Sequence, residues 1–183
     1  MSIAKVYGNA LYELASEINE EDKIKAEFAE LVDVFAANSA FVNLLSNPRI
    51  SKSERLQIFD DVIKSEGKSY LHSLIKILIE ERKVGLLGEI FDGYVDRYYE
   101  DKNILPVKVV SAVELREDQI AKLTSRITNL TGKKVIISNK VDKSIIGGFR
   151  IEYDGHLIDA SILYRFKNLE QVLKNADYSQ SEV

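Results

Sequence analysis

Cysteine is absent from the 183 residues, which excludes disulfides, thiolate metal sites and a cysteine nucleophile. Histidine is scarce: only His72 and His156 are present, so a multi-histidine metal site is excluded as well. No uninterrupted apolar run reaches even six residues, whereas a membrane-spanning helix needs roughly 20. The opening Met1-Ser2-Ile3-Ala4-Lys5 offers no apolar signal core and no Arg-rich transit segment. Excess positive charge is lacking too: the formal net charge is −4 and the pI about 5.4, unlike a typical nucleic-acid binder. What is present, 45% hydrophobic and 30% charged residues, is the make-up of a folded globular chain.

Two prolines, Pro48 and Pro106, punctuate the chain, and its character changes at the second. Residues 1–105 carry 13 Lys+Arg against 19 Asp+Glu, net −6; residues 106–183 carry 12 against 10, net +2. Before Pro106 the apolar residues recur at helical spacing, and six helices are expected. The first carries Ile3, Val6, Tyr7, Ala10, Leu11, Leu14, Ala15 and Ile18; the second runs from Ile24 to Phe35; a short third precedes Asn47-Pro48. Ser51 and Glu54 have capping-box spacing and open a fourth, expected to end at Gly67. The fifth carries Tyr70, Leu71, Leu74, Ile75, Ile77, Leu78 and Ile79, ending near Gly85, and the sixth runs from Leu86 to Tyr98. Short connections make these a compact bundle.

After Pro106 the pattern reads β-α-β-β-β-α. Val107, Val109, Ser111 and Val113 form a first strand; Ile120, Leu123, Ile127 and Leu130 form a helix closed by Gly132; Val135-Ile136-Ile137 starts a second strand. Phe149, Ile151 and Tyr153 alternate with polar residues, Asp154-Gly155 is a hairpin signal, and His156–Ala160 returns. A last helix carries Ile162, Phe166, Leu169 and Leu173. The expected fold is therefore α+β in two domains: a six-helix bundle over 1–105, and an α/β domain over 106–177 with a mixed four-stranded sheet and two helices. Residues 178–183 read as a disordered tail.

Reactive constellations are missing. Gly147-Gly148 lacks the spacing of a phosphate loop, so a strand bend is the simpler role and close backbone approach the functional one. Both glycines are expected to matter through backbone shape. Neither histidine has a second ligand at fixed spacing, and Asp159 and Ser161 near His156 make no triad by proximity alone. The clusters Glu20-Glu21-Asp22, Asp60-Asp61 and Glu80-Glu81 lack a calcium-loop pattern, and Arg82-Lys83 and Lys133-Lys134 are too sparse to hold a phosphate backbone. No catalytic, cofactor or metal site is expected. What stands out is apolar width: about 180° on the first helix and about 200° on the fifth, where one buried face needs only ~100°. Helices that each touch two neighbours account for much of this; a groove for an amphipathic partner helix accounts for the rest.

Several runs resemble the delta subunit of the F-type ATP synthase, the counterpart of the mitochondrial oligomycin-sensitivity-conferring protein. They are Tyr7-Gly8-Asn9-Ala10-Leu11-Tyr12-Glu13-Leu14-Ala15, Asn47-Pro48-Arg49-Ile50, and Glu81-Arg82-Lys83-Val84-Gly85-Leu86-Leu87. The most specific is Asp142-Lys143-Ser144-Ile145-Ile146-Gly147-Gly148-Phe149 with the following Ile158-Asp159-Ala160-Ser161. Gly8 stands where that family usually has Ala, which is expected to loosen the first helix by up to ~1 kcal/mol.

The resemblance implies a non-catalytic stator connector. It would join the catalytic alpha/beta hexamer to the peripheral stalk of b subunits and resist rotor torque. It implies a peripheral place on the cytoplasmic face of the bacterial membrane, reached through the complex. The implied partners are the N-terminal helix of an alpha subunit, lying between the first and fifth helices, and the C-termini of the b subunits on the second domain. No nucleic acid, membrane insertion or homo-oligomer is expected. Tyr7, Ala10, Leu11, Leu14, Leu74, Ile77 and Leu78 are the candidate groove residues, of which some must instead be core. The competing reading is a two-domain adaptor with a helical peptide-binding domain outside the ATP synthase; a cryptic enzyme is the third.

Overall fold

A computed structural model describes residues 2–63, 70–145, 147–153 and 155–159. Among them are seven α-helices and a mixed four-stranded sheet. Chain contacts divide the protein into two compact units, Met1–Tyr98 and Tyr99–Val183.

The first unit holds α1 (Ile3–Glu17), α2 (Glu21–Ala37), α3 (Ser39–Ser46), α4 (Lys52–Val62), α5 (Tyr70–Glu80) and most of α6 (Leu87–Asp101). Local chemistry sets their ends. Ser2 accepts the Lys5 amide at the start of α1. Asn38 donates to the Val34 carbonyl at 2.7 Å, closing α2 one residue before α3 begins. The Ser51–Glu54 box forms as its spacing implies: the Glu54 amide donates to Ser51 Oγ (3.2 Å) and the Ser51 amide to Glu54 Oε2 (3.1 Å). The expected end of α4 at Gly67 is corrected: the helix closes at Val62, where Ile63 leaves helical backbone at φ −96° and ψ 83° with its amide on the Phe59 carbonyl; Gly67 itself lies outside the described residues. The expected run of α5 to Gly85 stops five residues short. Arg82 adopts a left-handed φ of 57°, and the Lys83 amide folds back onto the Leu78 carbonyl at 2.7 Å. Gly85 lies instead in a 3₁₀ turn, Val84–Leu86. A left-handed residue can end a helix without being glycine, so the glycine was the wrong marker.

The core of this unit is aromatic at one end. Tyr12 meets Tyr94 edge-on at 5.5 Å between ring centres, and Phe28 meets Phe91 at 5.1 Å. Tyr94 donates its hydroxyl to the Glu21 carbonyl (2.8 Å) and Tyr98 to the Asp22 carboxylate, which ties α6 to the first turn of α2. Burial, the first cause, and the nearby Tyr12, Glu21 and Asp22 push the Tyr94 hydroxyl far above the ordinary tyrosine range.

Two glycines let α1 and α6 touch backbone to backbone. A Cβ on Gly8 would lie 2.5 Å from the Ile90 carbonyl oxygen and 2.6 Å from the Tyr94 nitrogen; one on Gly93 would lie 3.1 Å from the Lys5 Cα. The expectation that Gly8 merely loosens its helix is therefore corrected: the loss in helix propensity is exchanged for an approach that no other residue permits.

The second unit orders its strands β2-β1-β3-β4, with β1 (Ile104–Ser111) parallel to β2 (Lys134–Val141) and antiparallel to β3 (Phe149–Tyr153), which pairs antiparallel with β4 (His156–Asp159). The crossover from β1 to β2 is α7 (Glu117–Thr131), closed by Gly132 at φ 69°. Leu105, Val107, Val109, Val135 and Ile151 bury one face of the sheet together with Ile127 of α7. Val110 breaks the alternation because it lies on the opposite face. The first strand starts at Ile104, earlier than its β-branched run implies. Pro106 is tolerated inside it because the β1–β3 ladder begins only at Lys108. Val113 falls beyond the strand and is exposed. Tyr153 pairs with His156 across a two-residue loop in which Gly155 has φ 73°. Asp154 lies outside the described residues, as do the expected last helix and the tail.

The family-like run between β2 and β3 is a backbone device. Asp142 accepts the Ser144 amide at 2.9 Å, and the Ile145 amide donates to the Asp142 carbonyl at 3.1 Å, which turns Ile145 into the interior. These hydrogen bonds to Ser144, side-chain first, hold the Asp142 carboxyl below the usual carboxylate range. Gly148 then enters β3 with φ 86°.

Two stability outcomes follow from these glycines. Gly8→Ala should destabilise the first unit by about 2 kcal/mol, as overpacking of a tight contact does, in spite of alanine's higher helix propensity. Chemical denaturation followed by circular dichroism measures it, and an unchanged or raised midpoint contradicts the crossing. Gly148→Val should cost the second unit about 1–3 kcal/mol, because a β-branched residue is strained at positive φ. Hydrogen exchange should show loosened amides in β1–β4 and unchanged protection in α1–α5.

Candidate functional site

The residue types that could do chemistry are occupied with structure. Asp60 on α4 accepts from His72 Nε2 and from Lys76 Nζ, both at 2.9 Å and both on α5. Those contacts, Lys76 foremost, hold its carboxyl below the usual range. His72 also lies against the Phe59 ring, with centres 4.8 Å apart. Glu20 pairs with Lys23, Glu80 with Lys52 and Glu81 with Lys83. His156 faces the Tyr153 ring. Among the described residues no group of three or more His, Asp or Glu is placed to hold a metal ion.

Arg55 is the strongest polar feature, and sequence reasoning missed it. The side chain is buried on α4, and Nη1 donates to the carbonyls of Leu45 (3.1 Å) and Ile79 (2.8 Å). Those carbonyls belong to the last turns of α3 and α5, where the helix leaves acceptors unpaired and the dipole is negative. One guanidinium thus closes two helix C-termini. The only available signal was an arginine one turn into a helix, which by itself says nothing about burial.

What remains for partners is apolar surface on α1. Ala4, Gly8, Leu11, Tyr12 and Ala15 turn inward. Along the neighbouring flank, Ile3 (46% exposed), Val6 (50%) and Leu14 (42%) stay open with Ala10, and Tyr7 is half-buried. Residues 3, 7, 10 and 14 are separated by four, three and four positions, the spacing of one continuous helical stripe.

Helix α5 adds to it. Its His72–Lys76 flank is fixed against α4 by Asp60. Tyr70, Ser73 and Ile77 lie on the opposite flank, and α5 packs on α1 as well as on α4 and the 3₁₀ turn. Ile77 is 46% exposed and Tyr70 similarly open. Of the seven candidate groove residues, Tyr7, Ala10, Leu14 and Ile77 reach the surface. Leu11, Leu74 and Leu78 are buried in the core. Ile3, Val6 and Tyr70 are exposed as well and were not among the seven; their helical spacing with Tyr7, Ala10 and Ile77 was the available signal.

In the second unit, a cavity of about 630 Å³ is lined by Leu115, Gln119, Leu123, Arg126 and Phe149. Across the sheet a smaller hollow of about 430 Å³ is lined by Lys108, Lys140, Arg150, Glu152 and Leu157. Arg150 pairs with Asp159 on that side at 3.6 Å.

Comparison with known proteins places the whole arrangement. The family described as "ATP synthase delta (OSCP) subunit" matches residues 3–173. ATP synthase subunit delta of Lactobacillus johnsonii is 33% identical over 178 residues, covering 94% of this chain and 96% of the relative. The protein of the same name from Desulfitobacterium hafniense is 31% identical over 175 residues, covering 96% and 98%. In structure, a chain of the Toxoplasma gondii mitochondrial ATP synthase hexamer superposes with a TM-score of 0.70 at 15% identity, covering 94% of this chain and 98% of that one. That likeness extends the fold beyond sequence similarity. The chain belongs to the ATP synthase delta (OSCP) subunit family and is a non-catalytic structural subunit of the F-type ATP synthase stator.

Proposed function

We propose that this protein is the connector between the catalytic alpha/beta hexamer and the peripheral stalk, with its two units dividing the contacts. The six helices before β1 act as a bundle whose α1–α5 surface receives the amphipathic N-terminal helix of an alpha subunit. The second unit receives the C-termini of the b subunits. The protein then sits on the cytoplasmic face of a bacterial membrane through the complex, and it resists torque by holding both partners at once.

The observation that carries this reading is the open apolar stripe on α1 beside Ile77 and Tyr70 of α5. Exposed apolar side chains in a row, rather than singly, mark a protein contact. An amphipathic helix presents the matching i, i+3, i+4, i+7 anchors. The charge contrast supports two different partners: residues 1–105 are net −6, residues 106–183 net +2.

Ile77→Asp should lower affinity for a peptide of the alpha N-terminus by about 2 kcal/mol or more, as loss of a central anchor does, while circular dichroism stays unchanged. Calorimetric titration reads it, and equal binding by a folded variant moves the site elsewhere. Deleting residues 106–183 should abolish capture of the b subunits yet leave the alpha peptide within about threefold, since distant sites act independently. A 1–105 fragment that captures b at full strength would refute the division. Pull-down of the full chain from membranes separates this reading from an adaptor outside the ATP synthase: ATPase subunits should co-purify.

A further inference from the structure

The α1–α5 surface is apolar along its length but not uniform along its outer edge. By helical spacing the edge of that stripe carries the uncharged Val6 in the N-terminal half of α1 and Glu13 and Glu17 in the C-terminal half, all three exposed. Both carboxylates are exposed, and among the described residues neither has a hydrogen-bond or ion-pair partner. Lys5, the one cation on α1, points to the other side and pairs with Asp96 of α6 at 3.5 Å.

The placement of these two carboxylates works against the isolated helix. Like charges one turn apart repel along a helix. They also sit toward the C-terminus of α1, the negative end of its dipole, and the last turn holds no basic residue. Among the described residues no cation pairs with either carboxylate, and both lie near Leu14 in sequence, at the edge of the surface a helix would cover.

We propose, resting on the reading of this surface as a helix-binding groove, that the occupant is an amphipathic helix bearing Lys or Arg along one side of its apolar stripe. Those cations lie over Glu13 and Glu17 when Leu14 is covered. The apolar stripe supplies affinity, and the two carboxylates fix the direction and register of the helix, because a reversed or shifted helix would set its cations against the apolar Val6.

The test uses the full chain with two synthetic peptides: the cognate alpha-subunit N-terminal segment, and a copy with every Lys and Arg replaced by Gln. Affinities are measured by calorimetry at low and high salt for the wild type, the E13Q/E17Q double variant and I77D. The double variant should bind the first peptide about fivefold more weakly, the sum of two rim ion pairs. The Gln peptide should lose the same factor against the wild type and nothing further against E13Q/E17Q. Wild-type affinity should fall with salt, and that of the double variant should fall less steeply. Removing the repulsion stabilises α1, so a folding defect cannot mimic the loss. If I77D loses binding while E13Q/E17Q binds both peptides like the wild type, the groove stands and the charge selection is overturned. If I77D also binds normally, the groove reading falls and the selection falls with it.

Discussion

The contact between Gly8 and Gly93 sets how α1 can be used. With Cβ atoms absent at both positions, the two helices approach until the Gly8 Cα faces the carbonyl of Ile90 and the nitrogen of Tyr94. That locks the rotation of α1 about its own axis. Once Gly8 faces α6, Tyr12 one turn on must enter the cluster with Tyr94, and Leu11 and Ala15 must turn inward. The stripe through Ile3, Ala10 and Leu14 is then left on the outside whatever its hydrophobicity. Its exposure is a consequence of the crossing and not of weak packing.

Arg55 does for α5 what the glycines do for α1. A buried guanidinium is costly unless its donors are met; here Nη1 is met by the carbonyls of Leu45 and Ile79, while the buried Nε has no hydrogen-bond partner among the described residues. The exchange runs both ways: carbonyls at two helix ends gain a charged donor, that of Ile79 beside the Arg82 amide it already accepts, and the cation gains acceptors away from water. Together with the Asp60 contacts to His72 and Lys76, it fixes one flank of α5 on α3 and α4. Ile77 and Tyr70 are thereby left on the other flank. Two unrelated constraints, one steric and one electrostatic, aim the open sides of both helices outward.

The sequence made some of this legible. Ser51 and Glu54 announced their capping box, Gly132 its helix end and Gly155 its hairpin, because each depends on a few adjacent residues. Period and β-branching located six helices and four strands for the same reason. Gly8 was misread as a propensity defect because its purpose lies on α6, at the far end of the bundle's sequence. Arg82 was missed as the end of α5 because non-glycine residues enter the left-handed region only when tertiary structure holds them there. On α1 and α5, the width of the apolar arc revealed that too many residues were apolar for one buried face. It could not separate Leu11 and Leu78, which are core, from Leu14 and Ile77, which are not. That choice is made by the neighbours on each side, and periodicity carries no information about neighbours.

The most family-specific run points the same way. In Asp142–Gly148 an aspartate holds a backbone amide, an isoleucine is turned inward, and a glycine takes a φ of 86° before the chain enters β3. None of these residues is placed to react with anything; each fixes the path of the chain. Torque is resisted by parts that do not deform, and close packing and determined backbone conformation are what make a small unit stiff. A connector is therefore expected to concentrate its distinctive residues where shape is set, at crossings, turns and buried caps. Its partner-facing residues need only be apolar at the right spacing, and so they carry a weaker mark in the sequence than the scaffold that presents them.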